Sequence, residues 1–208
     1  MTDSVERFVR DLAREITDSL VNQYSVEVPG FDRPGGAAVR CANLRRYLVP
    51  RIGAPIALIG EAPSAHGARF SGIAFTAERS LPPEQRTSAL GLRRDGFTEH
   101  SATIVRWALD EIGLDPAQVV LWNAVPFHPA KVGDPLRNRR PSPAEFTLGA
   151  CWLERFLAPM RPGRIAAVGR SAQRVLPDGT PWLRHPAHGG GRELRAGLSI
   201  LVASTTDR

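Results

Sequence analysis

The sequence predicts an α/β protein, a three-layer α/β/α sandwich around a central, mostly parallel four-stranded sheet. Four short runs have strand length: Ala54 to Ile59, Gln118 to Asn123, Arg164 to Gly169, and one within "PWLRHPAHGGG" at 181–191. Segments of helical spacing separate them, and strands joined by helices form a parallel sheet covered on both faces. No repeat, low-complexity tract or composition break divides the 208 residues. One domain over 1–208 is therefore expected, with a covering helical segment over about 1–50.

Residues 4–21 read as the first helix, because Val5, Phe8, Val9, Leu12, Ile16 and Leu20 recur at three and four behind Asp3 and Ser4 as caps. A proline- and glycine-rich connection around 29–36 leads to a second helix at about 37–48. Residues 80–98, with "SLPPEQ" and "LRRDGF", read as an irregular excursion too polar for the core. Thr98 opens a helix whose Ile104, Trp107, Ala108 and Ile112 face inward and which Gly113 ends. Ser142, Pro143 and Glu145 supply a cap, a first-turn proline and a capping-box glutamate for a helix that buries Phe146, Leu153 and Phe156. Ser171 reads as the cap of a short helix, and Leu194, Leu198 and Leu201 favour helix over strand at 194–203.

Basic residues outnumber acidic ones 27 to 21, and the net charge of +6 favours a polyanionic partner. No stretch approaches the roughly 18 apolar residues of a spanning helix, and the acidic amphipathic N-terminus lacks the pattern of a signal peptide. No membrane partner is expected; the expected location is cytoplasmic, and nucleoid-associated if the source is bacterial. Cys41 and Cys151 are too few for a disulfide framework or a four-thiolate cluster, and both read as buried small residues. The glycines match neither the dinucleotide fingerprint nor the phosphate loop, and Ser64 lacks the G-x-S-x-G elbow. The five histidines show no close metal-ligand spacing, so no metal or other cofactor is expected.

Polar residues instead follow successive strands. Glu61 and His66 come after the first, Asn123 and His128 after the second, Arg170 after the third, and His185 and His188 after the fourth. In a parallel sheet those carboxyl ends share one edge, and ligands bind in the crevice there.

The loops at that edge resemble those of the uracil-DNA glycosylase superfamily. "GEAPSAHGARFSGIAF" at 60–75 resembles its first motif, "WNAVPFHP" at 122–129 its asparagine-bearing strand end, and "RHPAHGG" at 184–190 its histidine and proline motif. The likeness is nearest to bacterial members with a "GEAP" first motif, which usually hold an iron-sulfur cluster on four cysteines that this chain does not have. Ser64 and Ala187-His188 also depart from the usual pattern. The resemblance implies a monofunctional glycosylase that removes uracil from single- or double-stranded DNA, leaves an abasic-site product and acts as a monomer.

It also implies roles. Glu61 corresponds to the water-positioning acid, His185 to the catalytic histidine, Asn123 to the uracil reader and Phe75 to the stacking aromatic, with Phe70 as the rival stacker. The steric obstacle to thymine falls to His66 or to the backbone after Pro63. Arg137, Arg139, Arg140, Arg184 and Arg192 form the expected phosphate footprint, with His188, Gly189 and Gly190 in the loop that enters DNA. Two alternatives stand beside this reading: a glycosylase for hypoxanthine or xanthine, and a protein that binds damaged or abasic DNA with little turnover.

Overall fold

A computed structural model describes residues 2–187 and 189–203. In chain order, α1 (Thr2–Arg14) and α2 (Gly36–Leu48) precede β1 (Ile56–Gly60). A single helical turn, α3 (Ala68–Ser71), follows β1; α4 (His100–Glu111) then leads into β2 (Val119–Asn123). A small hairpin, β3 (Ala130–Lys131) and β4 (Asp134–Asn138), comes before the long α5 (Pro143–Met160). The chain continues through β5 (Arg164–Val168), β6 (Trp182–Leu183) and α6 (Gly191–Ala203). The main sheet has the order β2-β1-β5-β6, with every neighbouring pair parallel. This is the α/β architecture expected from the sequence.

Successive strand residues point to opposite faces, and here both faces are apolar. Ala57, Ile59, Val120, Trp122 and Ala167 pack under α1, α2 and α5. Ile56, Leu58, Val119, Ala166 and Val168 pack under α4 and α6. The first layer is aromatic: Phe156 stacks on Trp122 with centroids 4.5 Å apart, and Phe8 leans against both rings.

The capping box forms as expected. Ser142 Oγ accepts the Glu145 N–H, and the Glu145 carboxylate accepts the Ser142 N–H at 2.7 Å. Other elements differ. α1 ends at Arg14 instead of residue 21, because the Asn22 amide donates to the carbonyls of Leu12 and Glu15 and closes the helix there. Ile16 is consequently 88% exposed, while Leu20 reaches the core from the following turn. Ser171 caps nothing: the 3-10 turn Arg170–Val175 begins after Gly169, whose positive φ of 86° turns the chain off β5. Trp107 is 40% exposed rather than inward, and Cys151 is exposed. The β3–β4 hairpin was not expected; Val132 and Gly133, the latter at φ 77°, form its two-residue loop.

The excursion at 80–98 is polar, yet it is anchored from within. Buried Glu78 accepts the backbone N–H groups of Thr87, Ser88 and Phe97. Deeper still, Asp32 is shared by two buried arginines: Arg40 of α2 at 2.8 Å, and Arg69 of α3, which donates to both carboxylate oxygens at 2.9 and 2.8 Å. Burial by itself would raise the Asp32 pKa. The Arg69 hydrogen bonds and the charges of both guanidinia outweigh it and hold this carboxyl below its usual value.

A carboxyl held low stabilises the fold above its unfolded pKa, near 4, and that contribution is lost as pH falls through the folded value. Asp32→Asn leaves two buried cations unpaired and is expected to cost about 3 to 5 kcal/mol. Urea unfolding at pH 7 and pH 3 checks this: the gap between variant and native protein should shrink at the lower pH.

Candidate active site

The carboxyl ends of β1, β2 and β5 and the segment after β6 open into one cleft of about 460 Å³. Glu61, Phe75, Asn123 and His185 all line it, as do Arg139, Arg140 and Arg170. Residues separated by more than 120 positions in sequence thus meet at one sheet edge.

Asn123 ends β2 directly beside Gly60, the last residue of β1. Its side chain is buried, and its amide has no hydrogen-bond partner among the described residues. A carboxamide on the cleft wall with its own side-chain hydrogen bonds unused can read a ligand edge. Phe75 lies across the same point at φ 50°, a conformation that side chains rarely adopt and that costs about 1 to 3 kcal/mol. A Cβ on residue 60 would stand 2.5 Å from the Phe75 ring and 2.9 Å from Asn123 Oδ1. Gly60 therefore allows an aromatic face and an amide to share one corner of the cleft.

Glu61 is half-buried, and its carboxylate has neither an ion pair nor a hydrogen bond among the described residues. Its own carbonyl accepts the Val125 N–H at 2.9 Å, which fixes the backbone at the strand end. His185 Nδ1 accepts the Ala187 N–H at 3.1 Å. In the neutral imidazole that bond assigns the ring proton to Nε2.

The first-motif loop is held from both sides. His128 is fully buried, with Nδ1 2.9 Å from Pro63 O and Nε2 3.2 Å from Pro135 O. Burial pushes its pKa down to about 4, so the neutral ring donates to one of these two carbonyls and packs against the other, between this loop and the hairpin. Asn138 Oδ1 accepts the Ala65 N–H at 2.8 Å.

Several expected site residues lie outside the cleft lining or have their polar groups engaged in other contacts. Phe70 is fully buried against Phe97 and Arg69, so no base can reach it. His66 faces a different depression and does not line the cleft. Arg139 forks onto Glu145 and also donates to the carbonyls of Ser19, Ala130 and Arg140, which ties the segment to the α5 cap instead of leaving a clamp. Arg137, Arg184 and Arg192 are exposed outside the cleft lining. Gly190 has no room for a Cβ, which would stand 2.2 Å from His185 O, and Gly189 has φ 79°, so both glycines serve the local turn. His188 lies outside the described residues.

Glu99 was not foreseen. It lines the cleft from the start of α4, and its Oε2 would meet a Cβ on residue 67 at 1.8 Å. Oε2 and the neighbouring Ser64 Oγ are both buried without a well-formed hydrogen bond. Burial pushes its pKa up to about 7, offset only in part by Ser64. Glutamate one position before a helix carries no sequence signal of burial.

A sequence model of the uracil DNA glycosylase superfamily matches residues 48–205. The chain belongs to the uracil DNA glycosylase superfamily. Its general class is therefore a glycosylase-type hydrolase acting on DNA. The crystal structure of wild-type SMUG2 from Pedobacter heparinus is similar over 99% of each chain, with a TM-score of 0.67 and 12% identity, a likeness of fold. No curated protein matches. Among the described residues no group of three or more histidine, cysteine, aspartate or glutamate side chains is placed to hold a metal ion. No described helix is long and apolar enough to cross a membrane.

A carboxyl whose pKa is raised on folding binds a proton that the unfolded chain has lost, so stability falls as pH rises from about 4.5 to about 7. Glu99→Gln removes that slope. Relative to the native protein it should gain about 2 to 3 kcal/mol between pH 5 and pH 8 in urea unfolding.

Proposed function

We propose that this superfamily member hydrolyses the N-glycosidic bond of uracil in DNA, leaving an abasic site. One observation carries the reading: Glu61, Phe75, Asn123 and His185, taken from three separate motifs, line a single cleft. The target nucleotide reaches such a cleft only by leaving the duplex stack.

Breaking the C–N bond leaves positive charge on the sugar and negative charge on the departing pyrimidine. The Nε2–H of a neutral His185 donates to uracil O2 as that negative charge develops. Ionised Glu61 favours the cationic sugar and orients the water that attacks it, with little proton abstraction required before bond breaking. Asn123 accepts from N3–H and donates to O4; cytosine presents the reverse pattern and leaves both groups unmet. The face of Phe75 contributes base stacking, about 1 to 3 kcal/mol. Lys131 is the only lysine and sits exposed on the hairpin outside the cleft lining, so no lysine is placed for a Schiff-base lyase step.

The test follows free base and abasic sites from single-uracil oligonucleotides, with thymine, hypoxanthine and xanthine controls and no added metal. Glu61→Ala and His185→Ala should each lower the single-turnover rate by about 10²-fold or more while retaining DNA affinity. Asn123→Asp, which trades a donor for an acceptor, should shift selectivity from uracil toward cytosine. Gly60→Ala, which touches no reacting atom, should cost on the order of 10²-fold by displacing Phe75 and Asn123. Release of hypoxanthine or xanthine in place of uracil would overturn the substrate, and tight binding without base release would overturn turnover.

A further inference from the structure

A second depression, of about 340 Å³, lies on the other side of the first-motif loop. Rings form part of its wall. Phe97 stacks in parallel with Phe70, centroids 4.5 Å apart and 8° between planes, and with His66 at 5.1 Å and 4°. Phe70 and Phe97 are buried, whereas His66 is exposed. The stack therefore ends at the surface on a flat imidazole. Partial desolvation against Phe97, together with the Arg93 charge, holds the His66 pKa below its usual value, which favours the uncharged ring.

Arg79, Arg93 and Arg94 line the same depression, with Asp95 as its one carboxylate. None of these three guanidinia forms an ion pair among the described residues. Arg93 stands over the Phe97 ring, 5.8 Å from its centroid. Three guanidinia against one carboxylate leave this lining net positive, which favours an anionic ligand. An aromatic face beside unpaired guanidinia is complementary to a nucleotide, whose base has a π-face and whose phosphate takes guanidinium hydrogen bonds.

The depression and the cleft share their dividing wall. Ser64 and Ala68 line the cleft while His66, between them in sequence, lines the depression; Glu99 lines the cleft while Thr98 lines the depression. A strand with one nucleotide in the cleft thus has an adjoining seat across a wall one loop thick. A base stacked flat on a protein ring gives up its duplex neighbours, so that seat suits unpaired DNA.

We propose that His66, Arg79, Arg93 and Arg94 form a subsite for an unpaired nucleotide flanking the one in the cleft, with its base on the imidazole and its phosphodiester on the guanidinia. The proposal rests on the cleft being a DNA glycosylase site. It makes the protein favour single-stranded or frayed DNA over intact duplex.

Fluorescence anisotropy with lesion-free single-stranded and duplex oligonucleotides tests it on the full chain. His66→Ala should weaken single-strand binding about tenfold with little change for duplex, and His66→Trp, a larger stacking face, should restore it. Arg93→Gln with Arg94→Gln should flatten the dependence of log affinity on log salt by about 1 to 2. Single-strand affinity unchanged in both His66→Ala and the arginine double variant overturns the subsite, as does equal weakening for duplex. Displacement of the strand by thymidine monophosphate at similar concentration also overturns it, reassigning the depression to a free nucleotide. Uracil release measured in parallel separates the two readings. Full release with unaltered binding in the variants removes the subsite alone; no release by the native protein, with the binding differences intact, removes the proposed activity alone.

Discussion

The carboxylate of Asp32 is the point to which the loops around the site are tied. Alone in the interior it would be costly, and so would either arginine beside it. Joined, they fix α2 to α3, because Arg40 and Arg69 come from those two elements. Arg40 also donates to the carbonyls of Gln23 and Val26 and to Thr87 Oγ1, and that hydroxyl donates to Phe70 O at 2.6 Å. Tyr24 Oη and Asn43 Nδ2 add bonds to the carbonyls of Gly72 and Ser71. The turn that precedes Phe75 is held by side chains from most of the N-terminal third of the protein. That region is a buttress for the site as much as a cover for the sheet.

Such bracing is what permits Phe75 its unfavourable backbone angle. A strained residue persists only where its surroundings determine it several times over. On one side stands the polar network; on the other, Gly60 leaves room for the ring. The sheet performs the complementary task of alignment. Register between β1 and β2 pairs Gly60 with Asn123, so the amide and the gap that receives the Phe75 ring are set by backbone hydrogen bonding. Rigid elements hold such groups more accurately than loops can.

Protonation states around the cleft follow solvent access. His128, set between two carbonyls, is held neutral; Glu99, half-buried at the cleft wall, is held near the boundary between its two forms. His185 receives a backbone N–H that directs its proton to Nε2.

The four strands, the capping box of α5 and the gathering of Glu61, Asn123 and His185 at one edge were legible in the sequence. They depend on short-range rules: apolar periodicity, cap chemistry and the shared edge of parallel strands. Tertiary structure alone decided the rest. Helix periodicity ran through Ile16, but the Asn22 side chain, arriving from outside the helix, closed α1 earlier. Phe70 stood as a rival to Phe75 for the stacking ring until its complete burial separated them. Arg139 resembled its neighbours in a basic run until Glu145 and three carbonyls took its donors. Glu99 gave no sign of its raised pKa, because desolvation and electrostatic pairing act through space and are set by neighbours that a linear sequence does not bring together.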